Sequence, residues 1–169
     1  MSPLLLVCGA VILLFGFVVA FGAPYVPSLR KEVRRALSEL YPLNKGDVVV
    51  DLGSGDGIVL LEASKKGAIG FGVELNPFLV LISKLRLRGR AKITLGNMWL
   101  TRLPANVSLV YVFAVSRDTK RLERFVQAEA NRLEKDVSLM TFGAKLPTVK
   151  PVRVRKAHSL YIFKPLQAD

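Results

Sequence analysis

Residues Val48 to Gly57 read VVVDLGSGDG: three β-branched residues, then an acid, then glycines at every second position. The valines build a buried strand, and the glycines that follow would weaken any continuation of it. A strand that lets a ligand approach its backbone needs residues without a Cβ just past its end. Gly53, Gly55 and Gly57 supply them where the next helix begins, so the turn reads as a ligand seat. Tight turns and close helix packing are the other uses of such glycines. The spacing is Gly-x-Gly-x-Gly, not the Gly-x-Gly-x-x-Gly of dinucleotide binders, and no Lys-Ser/Thr pair follows, which disfavours a pyrophosphate ligand.

Working outward, DVVVDL is followed by a helix over Ile58 to Lys66, the strand AIGFGVEL, a helix over Pro77 to Leu87 and the strand AKITL. Asn76 and Pro77 form a cap and first-turn pair, and Gly89 marks the stop. VSLVYVFA, a helix from Thr119 to Leu133 and VSLMTFG come next. The alternating runs VRVRKA and HSLYIFKP predict an antiparallel pair that ends the sheet. This order predicts an α/β fold: a doubly wound, mostly parallel sheet of seven strands, with its ligand beyond the carboxyl ends of the first strands. Glu74 closes the second strand, roughly 20 residues past the glycines, where an adjacent parallel strand in such folds holds ribose hydroxyls. Packing alone does not justify a carboxylate there, because burying it unpaired would be costly. Asp51 ends the first strand beside the turn, placed either to accept from an ammonium group on the ligand or to cap the turn.

Upstream, Leu4 to Ala23 carries no charged side chain. About 20 such residues suffice to span a bilayer as a helix, so the segment predicts a transmembrane anchor. A cleaved signal peptide is the competing reading, but no Lys or Arg precedes the run and it is longer than an ordinary signal core. Arg30, Lys31, Arg34 and Arg35 follow it, placing the rest of the chain on the cytoplasmic side. Pro24 and Pro27 give an extended entry. Ser28 then caps a basic amphipathic helix with Leu29, Val33, Leu37 and Leu40 at helical spacing, which either lies on the membrane or packs onto the domain. The chain thus divides into an anchor (1–23), a basic linker and amphipathic helix (24–42) and a ligand-binding domain (43–169).

The 169 residues carry a formal charge of +12, all of it outside the apolar run. An anionic membrane surface is the partner this predicts, at roughly 1 kcal/mol for each Lys or Arg close to it; nucleic acid is the rival. The one cysteine, Cys8, lies in the apolar run and the one histidine is His158, leaving nothing from which to build a metal centre or a Cys-His or Ser-His triad.

An acid followed by Gly-x-Gly-x-Gly, over Asp51 to Gly57, resembles the class I S-adenosylmethionine-dependent methyltransferases. The blocks PYVPSLRKEV, VDLGSGDGIV and GVELNPFLV, in that order behind an apolar N-terminal segment, are similar to the membrane-associated protein lysine methyltransferases that modify the ATP synthase c-subunit and the adenine nucleotide translocase. The resemblance runs from about Pro24 to the end of the chain. It implies S-adenosyl-L-methionine as cofactor, with Gly53, Ser54 and Gly55 lining its methionine portion, Asp51 near its amino group and Glu74 on the ribose. Asn97 stands where such enzymes often place an acid facing the adenine amino group, and Met98 and Trp99 would flank the adenine. After the fourth strand VFAV replaces the Asn-Pro-Pro-Tyr signature of adenine N6 methyltransferases, which leaves the acceptor site unmarked. No catalytic base is evident, since Asp118 reads as the cap of the following helix.

The function expected is therefore a protein-lysine N-methyltransferase acting on a membrane-embedded protein. The alternatives are an RNA or small-molecule methyltransferase on the same fold, suggested by Lys84, Arg86, Arg88, Arg90 and Lys92, and a non-catalytic cofactor-binding protein. The lack of an Arg- and Ser-rich leader favours a prokaryotic plasma membrane; a eukaryotic source would imply a mitochondrial one.

Overall fold

The computed structural model describes residues 2–9 and 30–166. Residues 3–9 form a short helix, α1. Among the described residues no helix is long and apolar enough to cross a membrane. The predicted span over Leu4 to Ala23 falls mostly outside the described residues, as do Pro24, Pro27 and Ser28.

Seven strands form one sheet in the order β3-β2-β1-β4-β5-β7-β6. They are β1 (Val48–Leu52), β2 (Ile69–Glu74), β3 (Ala91–Leu95), β4 (Leu109–Ala114), β5 (Val137–Gly143), β6 (Arg153–Arg155) and β7 (His158–Phe163). The pairs from β3 across to β5 are parallel, whereas β7 runs antiparallel to both β5 and β6. The sheet is therefore mixed, with β7 as its one reversed strand.

The helices are α2 (Arg30–Glu39), α3 (Ile58–Ser64), α4 (Pro77–Leu87) and α5 (Thr119–Leu133). Helices α2, α3 and α4 cover the face carrying Val49, Leu109 and Met140, and α5 covers the face carrying Val50, Val110 and Leu139. The winding is double but lopsided. Strand β1 is buried along its whole length, which is why it reads as a continuous apolar run and not an alternating one. Predicted boundaries move by a residue or two: α3 stops at Ser64, short of Lys66, and β4 begins at Leu109. Asn76 caps α4 as expected, its Oδ1 accepting the Phe78 N–H at 2.9 Å. The stop comes one residue before Gly89, because Arg88 itself takes the left-handed cap conformation.

Glycines inside β2 explain how α3 seats on the sheet. A Cβ on Gly72 would lie 2.5 Å from Ile93 Cδ1 and 2.9 Å from Leu60 Cδ1, and one on Gly70 would lie 2.9 Å from Ala91 Cβ. Strand propensity is sacrificed there for close approach of the helix.

The amphipathic segment packs onto the domain. Val33, Ala36 and Leu37 are fully buried in the same core as Leu60 and Leu109. Burial of Val33 and of Leu37 stabilises by about 1.5–3 kcal/mol each, so this stripe is already consumed by the fold and is not available to a bilayer. Helix α2 begins at the carboxyl rim of the sheet, where Glu32 meets Arg155 at 2.8 Å and Lys156 at 2.9 Å in the β6–β7 turn. It ends at the opposite rim, where the Leu40 carbonyl accepts from Arg153 and the Tyr41 hydroxyl donates to the Ser108 carbonyl.

Glu62 on α3 locks α2 in place. Its buried carboxylate accepts from Arg30 at 2.6 Å, Arg34 at 2.9 Å and Lys65 at 2.6 Å. Burial alone would raise its pKa, but the hydrogen bonds from Lys65, Arg30 and Arg34 outweigh that and hold it at about 2. Glu62→Gln should weaken these charge-assisted bonds and lower stability by about 2 kcal/mol, seen as a lower urea midpoint at unchanged slope.

Candidate cofactor crevice

The glycine turn is shaped from the end of β2. Gly53 and Ser54 both donate their N–H to the Val73 carbonyl, at 2.9 and 3.0 Å. Glu74 then accepts the Gly55 N–H on Oε2 and the Asn76 N–H on Oε1, each at 2.8 Å. An ionised carboxylate has about four acceptor sites, so roughly two remain for other donors. Gly53 has φ 80°, a conformation L side chains rarely adopt, and a Cβ there would lie 3.9 Å from Met98 Sδ. The bare backbone of Gly53 and the Met98 side chain thus face one another.

Two of the predicted residues take structural positions. Gly57 begins α3 with φ 78°, and a Cβ on it would lie 2.9 Å from Ser83 Cβ on α4, so its bareness serves helix packing. Ser54 turns its side chain inward beneath the turn: it is buried, and a Cβ on Gly72 would lie 2.8 Å from its Oγ. Only its backbone borders the crevice.

Asp51 stands level with Gly72 on one side and Tyr111 on the other. It is 3% exposed, and its Oδ2 has no hydrogen-bond partner among the described residues. Burial, and then the nearby charges of Glu74 and Asp56, push its pKa well above the ordinary carboxylate range. A buried carboxyl oxygen without a donor, beside bare backbone, is the environment a cationic ligand would stabilise.

The loop after β3 brings Met98 to this crevice. Asn97 is exposed and caps the 3₁₀ turn Met98–Leu100, its Oδ1 accepting the Trp99 N–H at 3.0 Å. That carbonyl keeps one further lone pair for a ligand amino group. Trp99 points toward α5, edge-on to Phe125 at 6.3 Å and beneath the Arg121 guanidinium at 4.4 Å. Glu129 and Arg132 of α5 pin the same loop through the N–H and carbonyl of Leu103, both at 2.7 Å. Asp118 sits at the start of α5, yet its side chain makes no cap bond; it lies 3.6 Å from Arg117.

An aromatic row at the carboxyl ends of β4, β5 and the start of β7 escaped the sequence reading. Phe113, Phe142 and His158 are in register across these strands, with ring centroids 5.8 and 4.8 Å apart. His158 Nε2 lies 2.9 Å from the Tyr111 hydroxyl. The signal was present as alternation in VYVFA and SLMTFG, but only strand pairing sets which turns of the alternation meet.

The structure is similar to that of an RNA methyltransferase from Salinibacter ruber solved in complex with S-adenosyl-L-homocysteine. It superposes with a TM-score of 0.70 at 22% identity, covering 85% of this chain and 97% of that one. A SAM-dependent methyltransferase from Geobacter sulfurreducens, also in complex with S-adenosyl-L-homocysteine, gives 0.55 at 18% identity, covering 80% and 57%. The fold is that of the class I S-adenosylmethionine-dependent methyltransferases. No family model matches the chain. Curated relatives include the ATP synthase C-subunit lysine N-methyltransferase of Homo sapiens, 32% identical over 136 residues, which are 78% of this chain and 56% of that protein. A protein-lysine N-methyltransferase of Saccharolobus islandicus (strain REY15A) is 33% identical over 113 residues, 63% of this chain and 69% of that protein. On that similarity, the chain belongs to the protein-lysine N-methyltransferase family. It spans about half the length of the vertebrate relatives it matches.

Two pH effects follow from the buried groups. The raised pKa of Asp51 means the folded chain holds a proton that the unfolded chain gives up from about pH 3.8 upward, so Asp51 lowers stability as pH rises through that window. Asp51→Asn should therefore raise the thermal midpoint of the ligand-free protein near neutral pH, while weakening its binding of S-adenosylmethionine. Calorimetric titration should show wild-type affinity increasing with pH and the variant's affinity flat. His158, depressed by burial from 6.5 to about 4, has the opposite sign. The unfolded chain takes up its proton first, so stability should fall as pH drops from 6.5 to about 4. His158→Gln should flatten that part of the urea-midpoint profile.

Proposed function

We propose that this chain transfers the methyl group of S-adenosylmethionine to a lysine side chain of a membrane protein. The reaction class and the lysine acceptor are supported by the family. The cofactor reading rests most on one observation: Glu74 holds the glycine turn with one hydrogen bond on each oxygen and keeps lone pairs for vicinal hydroxyls. Gly53, Gly55 and the backbone of Ser54 would border the methionine portion, Asp51 would accept from its ammonium group, and Met98 and Asn97 would meet the base. Gly57 supports the turn from behind.

When bound, the cofactor supplies an electrophilic methyl on a sulfonium. The chain's own task is then orientation and exclusion of water, with little acid-base machinery. A lysine acceptor must first lose a proton from a group of reference pKa near 10.4, and apolar surroundings favour the neutral amine. The turn after β4 carries one carboxylate, Asp118, which lies 3.6 Å from the Arg117 guanidinium. The aromatic row of Phe113 and Phe142 lies next to that turn and supports such surroundings.

The apolar run of residues 4–23 supports a single-pass anchor ahead of the basic segment 24–42, with the domain of residues 43–169 on the cytoplasmic side, or in a mitochondrial membrane if the source is eukaryotic. Tethering would confine the search for a membrane-embedded substrate to two dimensions and raise its effective concentration. The rival RNA reading lacks support in the basic stretch Lys84–Lys92, which has no interleaved aromatics for base stacking.

Incubation with labelled S-adenosylmethionine and native membranes should label a discrete protein, with the methyl group mapped to lysine by mass spectrometry. Label confined to RNA or lipid rejects the proposal. Glu74→Gln should cost roughly tenfold to a hundredfold in cofactor affinity, from losing charge-assisted bonds of about 1.5–3 kcal/mol.

A further inference from the structure

Helix α4 carries apolar residues on both its faces. Its inward positions include Val80, Ser83 and Leu87. Its outward positions Phe78, Leu81, Ile82 and Leu85 are also apolar, at 44–68% exposure. A surface helix ordinarily turns charged residues outward. The spacing i, i+3, i+4, i+7 gathers these four side chains into a single stripe. Leu95, at the end of the neighbouring edge strand β3, is also more than half exposed.

The charge around the stripe is of one sign. Between Glu74 and Asp118 the sequence has no acid and seven cations. Arg86 is engaged by Asp56 of the glycine turn. Lys84, Arg88, Arg90 and Lys92 are exposed and have no carboxylate partner among the described residues. An apolar stripe edged by unpaired cations is the pattern of a helix lying in the interface of an anionic bilayer. A second copy of this chain is a poor match, since like charges would be brought together.

We propose that the outer face of α4 docks the folded domain onto an anionic lipid surface, with Phe78, Leu81, Ile82 and Leu85 entering the headgroup boundary and the flanking cations meeting lipid phosphates and carboxylates. Helix α4 starts three residues after Glu74, so docking brings the rim of the cofactor crevice close to the membrane. The inference takes its location from the membrane reading above, but its test reads lipid contact and not turnover, so the two can fail separately.

The full chain with Cys8→Ser and Leu85→Cys, carrying an environment-sensitive dye, is reconstituted into vesicles of phosphatidylcholine with or without phosphatidylserine. A second label at Ala128→Cys, on the exposed side of α5, serves as control. Circular dichroism and S-adenosylmethionine binding confirm that both variants fold. The dye at 85 should shift to the blue and be quenched by a lipid-borne nitroxide in the anionic vesicles, less so in neutral vesicles or at high salt, with no change at 128. Absence of quenching, or quenching indifferent to lipid charge, overturns the proposal. Shielding that grows with protein density at fixed lipid points to contact between copies and overturns it as well. Shielding seen only when native membranes replace the vesicles assigns the face to a protein partner, which also overturns it.

Discussion

The carboxylate of Glu74 fixes the geometry on which the crevice depends. One oxygen holds the amide of Gly55 in the turn after β1, and the other holds the amide of Asn76 where α4 begins. The neighbouring Val73 carbonyl takes two more turn amides, those of Gly53 and Ser54. The end of β2 therefore supplies acceptors for four successive or facing backbone donors, and the turn has its shape before any ligand arrives. Gly57, pressed against Ser83, closes the same loop from the far side. Such preorganisation reduces the ordering cost that binding would otherwise carry.

Buried acids in this chain divide by how they are satisfied. Glu62 is held by three cations, and Glu129 by Arg132 and the Leu103 amide. Glu74 is held by two amides. Each of these has a structural reason for its charge, and each ties a helix or a loop to the sheet. Asp51 differs: it is the most enclosed side chain at the crevice, one of its oxygens meets no donor among the described residues, and burial favours its neutral form. The fold itself does not account for a charge on Asp51, and that asymmetry separates it from its neighbours.

Much of this was legible in the chain itself. AKITL and PFLVLISKLRL kept the bounds that their apolar runs and caps imply, and DVVVDL lost only its first residue, because each is closed by a local signal: a short loop, the Asn76-Pro77 pair, or a glycine turn. The acid and glycines around Asp51 and Gly53 marked the turn after β1 for the same reason. What could not be read depends on partners distant in sequence. Nothing local says that Gly57 faces Ser83, that Ser54 turns inward, or that Trp99 is taken up by Phe125 and Arg121. The choice for α2 between membrane and domain likewise turned on Glu62 and the core around Leu60, which spacing within the helix does not reveal.

Helix α2 starts at the carboxyl rim, latched by Glu32 to the β6–β7 turn, on the end of the sheet that also bears the glycine turn. That β6–β7 turn lies at the far edge of the sheet, four strands from β1, so the latch and the glycine turn share one rim at separate places along it. Loosening Glu32 from Arg155 and Lys156 would thus free the start of α2 while leaving the strands that carry the glycine turn paired as they are.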